Sequence, residues 1–305
     1  MSFQAACIGA AHLDRTARAL EAVVPGSSNP VVLHQSIGGV ARNVAENLAR
    51  LGAAVAMVSA VGRDEAGAWV LARCAEAGLD MRQAARLEDA ATASYTALLE
   101  PSGELAVAFA DMAIYDRLRP GFLAPRLRAL PDCRIWFADA NPPAEGLAAI
   151  AAAKPAGTLL AADCVSVAKA RRLAGLLDRL DLLFCNADEA AALAGLPAGT
   201  AAADSAARLL AGGARALVVT QGPRGCLVAA DGAVEAVPAA PAAVRDVTGA
   251  GDSLIAGTLW GLGTGLPLME AVRLGRLAAA VTLEYDGAIH PDLGAVLRAR
   301  STPAS

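Results

Sequence analysis

The sequence has no basic patch, no long hydrophobic run and no leader-like start, and each absence excludes a class of protein. Acidic and basic residues are interspersed and sum to a net charge of −4, so we expect no nucleic-acid surface. No apolar run approaches the ~18 residues that span a bilayer, so we expect no membrane contact. Residues 1–4 lack the basic flank and apolar segment of a signal peptide, which predicts a cytoplasmic protein.

Metal-binding and redox motifs are also missing. The three histidines, at positions 12, 34 and 290, lie far apart, which argues against a metal cluster built from them. No Cys-x-x-Cys pair occurs among the six cysteines, at positions 7, 74, 133, 164, 185 and 226. We therefore expect reduced, buried thiols that pack as small hydrophobes.

Three catalytic or nucleotide-binding motifs are absent as well. There is no Gly-x-x-x-x-Gly-Lys-Ser/Thr segment, which disfavours a P-loop enzyme. No Gly-x-Gly-x-x-Gly follows the first strand-like run, which disfavours a dinucleotide-binding Rossmann protein. No Gly-x-Ser-x-Gly elbow of a serine hydrolase is present.

What is present is a repeated alternation of strand-like and helix-like segments. The composition, 55% hydrophobic and 18% charged, is sufficient for a large core. Buried strands are predicted at 3–10, 54–60, 134–138, 157–162, 180–185 and 214–220. Helices are predicted at 39–51, 65–77, 144–153, 166–178, 187–194, 201–211, 250–263 and 267–284. This alternation predicts an α/β fold, a three-layer α/β/α core with a mostly parallel central sheet.

Two segments break the alternation and predict a small β-sheet lid. Residues 92–110 have a hairpin pattern around Pro101-Ser102-Gly103, and the short segments 14–24 and 31–37 are candidate strands of the same sheet. We therefore assign 15–37 and 90–113 to the lid, and 1–14, 38–89 and 114–305 to the core. Exposed lid edges are usually paired or covered, which predicts a homodimer joined through the lids.

The segment at 246–253 carries the strongest chemical signal. Gly249 and Gly251 allow a tight turn, and backbone N–H groups at the start of the following helix form an anion site. Asp252 stands beside that site, where its carboxylate can accept the proton of an attacking hydroxyl. The alternative is a helix N-cap, since aspartate is favoured there. The local pattern favours neither interpretation.

Polar residues at two other positions predict a ligand site at the same edge of the sheet. Gly38 and Gly39 open a helix that carries Asn43, an amide able to hydrogen-bond a polyol. Asp14 follows the first strand, where α/β proteins usually bind ligands. A surface turn for Asp14 and a polar helix face for Asn43 are the alternatives.

Residues that follow later strands suggest a nucleotide and magnesium site. Asn186 and Glu189 suit a hydrated magnesium ion bound to phosphates, although both also suit helix capping. Thr220, Gly222 and Gly225 belong to a strand and a glycine-containing turn, a pattern that is compatible with a neighbouring nucleotide but is not specific.

In this order, these segments resemble the PfkB or ribokinase family of carbohydrate and nucleoside kinases over nearly the whole chain. The Asp-x-Thr-Gly-Ala-Gly-Asp segment at 246–252 matches that family's C-terminal signature, and Gly-Gly-x-Ala-x-Asn at 38–43 matches its N-terminal one. Asn186 and Glu189 match its Asn-x-x-Glu motif. The resemblance implies a ribokinase-like fold, ATP, and magnesium held through water by Glu189. Val247 replaces a frequent threonine, so potassium near Asp246 is implied less firmly.

Within the family, the segments are most similar to those of pseudouridine kinases. The similar stretches are Asn29-Pro30, 38–52, 110–112, 163–169, 280–283 and 290–293, with Cys164 in place of an expected proline and His290 in place of an expected asparagine. The resemblance implies transfer of a phosphoryl group to the ribose 5′-hydroxyl, with Asp252 as base. It assigns the anion hole to Gly249, Ala250 and Gly251. Contacts with the acceptor are assigned to Asp14, Gly38, Gly39 and Asn43 for the ribose and to Asp111 and Met112 for the base. Contacts with ATP are assigned to Asn186, Glu189, Thr220, Gly222 and Gly225.

Two alternatives remain open at this level. The first is a kinase of the same fold that acts on ribose, adenosine, another nucleoside or a ketosugar, because the hydroxyl-binding residues are shared. The second is a non-catalytic module that binds a sugar or nucleoside, which would be expected to have lost the anion loop or the base.

Overall fold

The computed structural model describes residues 3–301, which form two β-sheets and the helices around them. The strands are β1 (Gln4–Ile8), β2 (His12–Ala19), β3 (Val31–Gly38), β4 (Ala54–Gly62), β5 (Asp80–Leu87), β6 (Ser94–Leu99), β7 (Leu105–Asp111), β8 (Ile135–Asp139), β9 (Leu159–Asp163), β10 (Leu182–Asn186), β11 (Ala216–Thr220), β12 (Cys226–Ala230) and β13 (Ala233–Val237). The helices are α1 (Val40–Arg50), α2 (Glu65–Glu76), α3 (Pro120–Arg128), α4 (Ala144–Ala153), α5 (Val167–Ala170), α6 (Ala187–Ala194), α7 (Ala202–Ala211), α8 (Ala250–Gly263), α9 (Leu268–Leu283) and α10 (Leu293–Ser301). Short 3₁₀ helices cover Ala113–Arg117, Arg171–Arg179 and Gly222–Arg224.

The larger sheet has the strand order β13-β12-β11-β10-β9-β8-β1-β4-β5. The strands from β11 to β5 are parallel, and β12 and β13 add an antiparallel hairpin at one edge. One apolar core lies between this sheet and α1, α2, α8, α9 and α10. A second core lies on the opposite face, with α3, α4, α6 and α7. Strands covered on both faces are continuous apolar runs, as in the fully buried β8.

The parallel register brings the carboxyl ends of the central strands to one edge. Asp139 at the end of β8 pairs with Asp163 at the end of β9, and Asn186 of β10 pairs with Thr220 of β11. Ligands of open α/β sheets bind outside this edge, because the loops there diverge and leave a crevice.

The smaller sheet has the order β3-β2-β6-β7, in which the two central strands are parallel and the outer strands antiparallel to them. Its β2 begins four residues after β1 ends, so the sheet stands directly over the edge of the core that carries the polar residues. The proposed lid segments 15–37 and 90–113 contain most of this sheet, although β2 starts at His12. Its outer strands expose apolar side chains, with Val32 and Phe109 both 62% exposed.

Helix α8 is held in place by contacts that require small residues. A Cβ atom at Gly257 would lie 2.8 Å from Cα of Gly275 in α9, so the two helices approach backbone to backbone. The alanine- and glycine-rich sequence permits this close packing, which positions the start of α8 at the crevice.

The predicted three-layer α/β fold, with a mostly parallel central sheet and a smaller separate sheet, is confirmed. The single helix predicted at 166–178 is wrong, because this segment forms the one-turn α5 followed by a 3₁₀ helix. Strand β5 and helices α3 and α10 were not predicted. The edge strand β5 is mostly polar, and α3 contains Pro125, so neither has the simple apolar pattern of its class. All six cysteines are free and buried.

Among residues 3–301, no helix combines the length and apolar character needed to cross a membrane. The same residues contain no group of three or more His, Cys, Asp or Glu side chains arranged to hold a metal ion directly.

Candidate active site

The start of α8 forms a cup of backbone N–H groups. Its N-cap is Gly249, with φ of 74°, and a Cβ atom there would overlap the carbonyl oxygen of Ala288, so only glycine fits. Ala250, Gly251 and Asp252 form the first turn, whose N–H groups have no acceptor inside the helix, and Ala250 N makes only a long hydrogen bond of 3.4 Å to Val247 O before it. The positive end of the helix dipole points the same way, which favours an anion at this point. Nothing lies within 4 Å of a Cβ atom built on Gly251, so the cup is open.

Asp252 stands in this first turn and is not its N-cap. Its Oδ2 accepts a hydrogen bond of 2.6 Å from Asn43 Nδ2 of α1, and its side chain is half-buried. Burial raises the pKa of Asp252 to about 7, although the Asn43 hydrogen bond and the charge of Arg42 act to lower it, and the charge of Asp139 raises it further. A carboxylate that titrates near neutral pH is suited to accept a proton during turnover.

Two cavities reach the surroundings of Asp252, one through Asn43 and the other through Ala250 and Gly251, although Asp252 itself lines neither. The first, the polar cleft, has a volume of about 920 Å³ and lies under the smaller sheet. Its walls include His12, Asp14, Thr16, His34, Ser36, Gly38, Gly39, Asn43, Tyr95, Met112, Asn141 and Lys169. Asn43, the hydrogen-bond partner of Asp252, therefore belongs to this cleft.

The second, the apolar cavity, has a volume of about 520 Å³ and lies on the other side of the start of α8. Its walls include Thr220, Gly222, Gly225, Val237, Val244, Ala250, Gly251, Leu254, Arg276, Ala280 and Leu283. Because Ala250 and Gly251 line it, the N–H cup opens toward this cavity while the Asp252 carboxylate faces the cleft residue Asn43.

Two oxygen acceptors in the polar cleft have no hydrogen-bond partner. Asp14 Oδ1 and Asn43 Oδ1 are both buried and unpaired among the described residues. His12 Nε2 lies 3.1 Å from Asp14 Oδ1 but outside hydrogen-bond angles. A buried acceptor without a donor is costly, so the pair fits a ligand that brings two hydroxyl groups. Asp14 lies in strand β2 rather than in a surface turn, and Asn43 is buried rather than on an exposed polar helix face. Neither alternative considered for these residues applies.

The two glycines before α1 allow these polar groups to approach each other. A Cβ atom on Gly38 would overlap the Asp14 carboxylate, and one on Gly39, which has φ of 104°, would overlap the carbonyl of Ala10. Larger residues at either position would therefore displace Asp14 or the loop after β1.

A buried aspartate that sequence reasoning missed, Asp139, ties this region together. Its Oδ2 accepts hydrogen bonds from Ala10 N at 2.9 Å and Ala41 N at 3.1 Å, and its Oδ1 accepts one from Asn141 N at 3.0 Å. It thereby fixes the loop after β1 and the first turn of α1. Its place at the end of the buried strand β8 was the available signal.

Other cleft residues were also absent from the predicted set. Four residues of the lid strands line the cleft: Thr16, His34, Ser36 and Tyr95. The sequence pattern of a strand does not show which of its side chains face a ligand site. Met112 lines the cleft as well, whereas Asp111 is exposed and lies outside the lining residues.

On the opposite wall of the cleft, a second group of missed residues follows β8 and β9. Lys169 Nζ donates a hydrogen bond of 2.6 Å to Asn141 Oδ1. Burial lowers the pKa of Lys169, opposed by the charge of Asp139. A further missed residue, Tyr115, precedes β8 and lies behind the cleft lining. It is buried, and its hydroxyl lies 3.3 Å from His12 Nδ1, so it holds the histidine beside Asp14.

Asn186 and Glu189 form a reciprocal capping box at the start of α6. Asn186 Oδ1 accepts from Glu189 N, and Glu189 Oε2 accepts from Asn186 N, both at 2.9 Å. Burial raises the pKa of Glu189, and it also raises that of Asp163, whose shift is increased by the charges of Glu189 and Asp252. Carboxylates that repel one another near an anion cup fit a hydrated magnesium ion, which prefers oxygen donors and retains water.

Asp246 links two loops beside the N–H cup. Its Oδ1 accepts from Thr248 N at 2.9 Å and its Oδ2 from Gly287 N at 3.2 Å. Partial burial acts to raise the pKa of Asp246, but these hydrogen bonds outweigh burial and hold the pKa below its usual value. The residue thereby orders the turn that precedes Gly249.

Comparisons with known proteins identify the family of the chain. The model of the pfkB family carbohydrate kinases matches residues 3–293. The chain is similar to the pseudouridine kinase of Escherichia coli (strain K12), with 31% identity over 290 residues that cover 94% of this chain and 92% of that protein.

Solved structures show the same fold. A carbohydrate kinase from Agrobacterium tumefaciens is 32% identical, with a TM-score of 0.84 and coverage of 97% of this chain and 96% of that one. An Arabidopsis thaliana ribokinase complexed with ribose and ATP is 21% identical, with a TM-score of 0.86 and coverage of 99% and 100%. With the family model matched from residue 3 to residue 293, this chain belongs to the pfkB family of carbohydrate kinases.

Proposed function

We propose that the chain is an ATP-dependent kinase that phosphorylates the 5′-hydroxyl of pseudouridine, giving pseudouridine 5′-phosphate and ADP. The observation that carries the proposal is the position of Asp252. Its carboxylate, with a pKa of about 7, stands in the first turn of α8, where it accepts a hydrogen bond from Asn43 of the polar cleft and follows Gly251 of the apolar cavity in the chain.

In this reaction, Asp252 takes the proton of the acceptor hydroxyl as its oxygen attacks the terminal phosphorus of ATP. A new bond forms between that oxygen and phosphorus, and the bond from phosphorus to the bridging oxygen breaks, so that ADP leaves. The N–H groups of Gly249, Ala250 and Gly251 donate to the charged oxygens of the migrating group, an effect that is largest where water is excluded.

Magnesium, when bound, neutralises charge on the phosphates. Glu189 would hold it through water, with Asn186 fixing the orientation of the Glu189 carboxylate through the capping box. The nucleotide lies in the apolar cavity beside three of the residues that line it, Thr220, Gly222 and Gly225. We also propose a monovalent cation beside Asp246. The hydrogen bonds of Asp246 would keep the turn before Gly249 ordered with or without this cation.

The acceptor is held in the polar cleft. The unpaired oxygens of Asp14 and Asn43 can each accept a hydrogen bond from a ribose hydroxyl. Gly38 and Gly39 let the ribose approach the backbone. The base then lies under the lid, near Met112 and Tyr95, with Asp111, the chain neighbour of Met112, as a further base contact. The similarity to a pseudouridine kinase supports this acceptor over other nucleosides.

The test is a parallel phosphorylation assay with pseudouridine, uridine, adenosine, ribose and fructose at equal concentration. We expect the highest kcat/KM with pseudouridine. Fast turnover of ribose or a ketosugar without turnover of pseudouridine would assign the chain to another substrate of the family. A thermal shift with nucleoside in the absence of ADP formation would favour a binding module.

We also propose a cytoplasmic homodimer in which the lids of two copies cover each other. Apolar side chains on the outer lid strands, including Val32, Leu33 and Phe109, are more than half exposed. Light scattering at micromolar concentration should give twice the mass of the chain, and a monomeric mass would contradict the dimer.

A further inference from the structure

The apolar cavity contains a charged side chain that the proposed reaction does not use. Among the residues that line this cavity in the described part of the chain, Arg276 of α9 is the only charged one. Its neighbours on α9, Ala279, Ala280 and Leu283, are apolar, as is Val244 on the facing loop.

The guanidinium of Arg276 is incompletely paired. Its Nη1 donates a hydrogen bond of 3.2 Å to the carbonyl of Pro238, and its Nε is buried without a partner. Within residues 3–301, no carboxylate lies within ion-pair distance of it, whereas the neighbouring Arg273 pairs with Glu270. A half-buried cation without a carboxylate partner favours a ligand that brings acceptor atoms.

The position of Arg276 corresponds to the base end of a bound nucleotide. Gly257 contacts Gly275 and Gly261 contacts Ala271, so α8 and α9 run antiparallel. Ser253, near the start of α8, has its Oγ 2.6 Å from Thr282 Oγ1, so the end of α9 with Leu283 lies near the N–H cup. Arg276 lies seven residues before Leu283, about 10 Å farther along the helix at 1.5 Å per residue. A nucleotide whose phosphates occupy the cup therefore extends its sugar toward Ala280 and its base toward Arg276.

The chemistry of a guanidinium discriminates between purines. It carries only donors, in a planar fork that matches two adjacent acceptors. Guanine presents O6 and N7 as such a pair, whereas adenine presents N7 beside the N6 amino group, which is itself a donor. Hypoxanthine has the same O6 and N7 edge as guanine but lacks the 2-amino group.

We infer that Arg276 makes the apolar cavity a site for 6-oxopurine nucleotides, so that the enzyme uses GTP and ITP as phosphoryl donors in addition to ATP. This inference rests on the proposed function, in which the apolar cavity binds the nucleotide. Arg276 is then the residue that sets the balance between 6-oxo and 6-amino purines.

The test is calorimetric titration of the full chain with ADP, GDP and IDP in the presence of magnesium and without an acceptor. We expect GDP and IDP to bind within about threefold of ADP or more tightly. Arg276→Met should weaken GDP and IDP about tenfold, the effect of losing one bidentate contact, and ADP by less than threefold. Arg273→Met, one turn earlier on the exposed face, should leave all three affinities unchanged.

A second variant covers the case in which Arg276→Met does not fold, as judged by circular dichroism. Arg276→Lys keeps the charge and the aliphatic stem but not the fork, and should also weaken GDP and IDP relative to ADP. Binding of ADP without binding of GDP or IDP would overturn the inference, as would an equal loss of all three nucleotides in the variants. Absence of binding by every nucleotide, ADP included, would instead overturn the proposed function itself, and the inference with it.

Discussion

The hydrogen bond from Asn43 to Asp252 should set the pH at which the enzyme becomes active. The pKa of Asp252 is about 7 because burial raises it, while the Asn43 hydrogen bond acts in the opposite direction. The logarithm of kcat/KM for the wild type should therefore rise with unit slope up to about pH 7 and then level off.

Replacing Asn43 with alanine removes the donor to the carboxylate. A hydrogen bond to a charged group contributes about 1.5–3 kcal/mol, equivalent to roughly one to two pKa units, and water in the polar cleft will replace part of it. We expect the midpoint to move up by about one unit, to about pH 8. The ionised fraction of Asp252 at pH 7 then falls from about one half to about one tenth, a loss of about fivefold in addition to any loss of acceptor binding.

The assay is kcat/KM from pH 5.5 to 9 with ADP formation as the readout. The matched control is Asn47→Ala, because Asn47 lies one turn later on α1 and donates to Ser253 Oγ rather than to Asp252. That variant should lose stability but retain the wild-type midpoint. The reasoning is refuted if the Asn43→Ala midpoint equals or lies below that of the wild type, or if both control and test variants shift equally.

Three further changes test other parts of the site. Asp252→Asn should reduce turnover by at least about a hundredfold. Because the pKa of Asp252 is higher in the folded than in the unfolded state, the ionised carboxylate destabilises the fold, and this effect grows from about pH 4 to pH 7 and persists above pH 7. Asp252→Asn removes the charge, so it should raise Tm at pH 8 but not at pH 4. Gly249→Ala should destabilise by about 2 kcal/mol or more in urea unfolding, whereas Gly251→Ala, with open space at its Cβ, should not. Glu189→Gln should raise the magnesium concentration needed for half-maximal rate, with no such change in Asp188→Asn, an exposed neighbour.

Local sequence patterns were sufficient to predict those elements whose structure depends on neighbouring residues. The buried parallel strands have continuous apolar runs because helices cover both faces, and the start of α8 needs glycine at 249 because of its positive φ. Edge strand β5 and the 3₁₀ segment at 171–179 depend on distant packing and lack such a pattern. The contacts of Asp139 also depend on distant packing, because two of its three N–H donors, Ala10 and Ala41, lie 129 and 98 positions away.

The amino-acid sequence was enough to establish the α/β class, the small second sheet, and the glycine loop with its neighbouring aspartate, since each depends on short-range periodicity or backbone freedom. Only the folded chain decided what that aspartate can do. Residues 43 and 252 are more than 200 positions apart, and their contact, the burial of the carboxylate and its pKa of about 7 arise when α1 and α8 pack together. Electrostatic environment depends on distances in space, and chain order does not specify them.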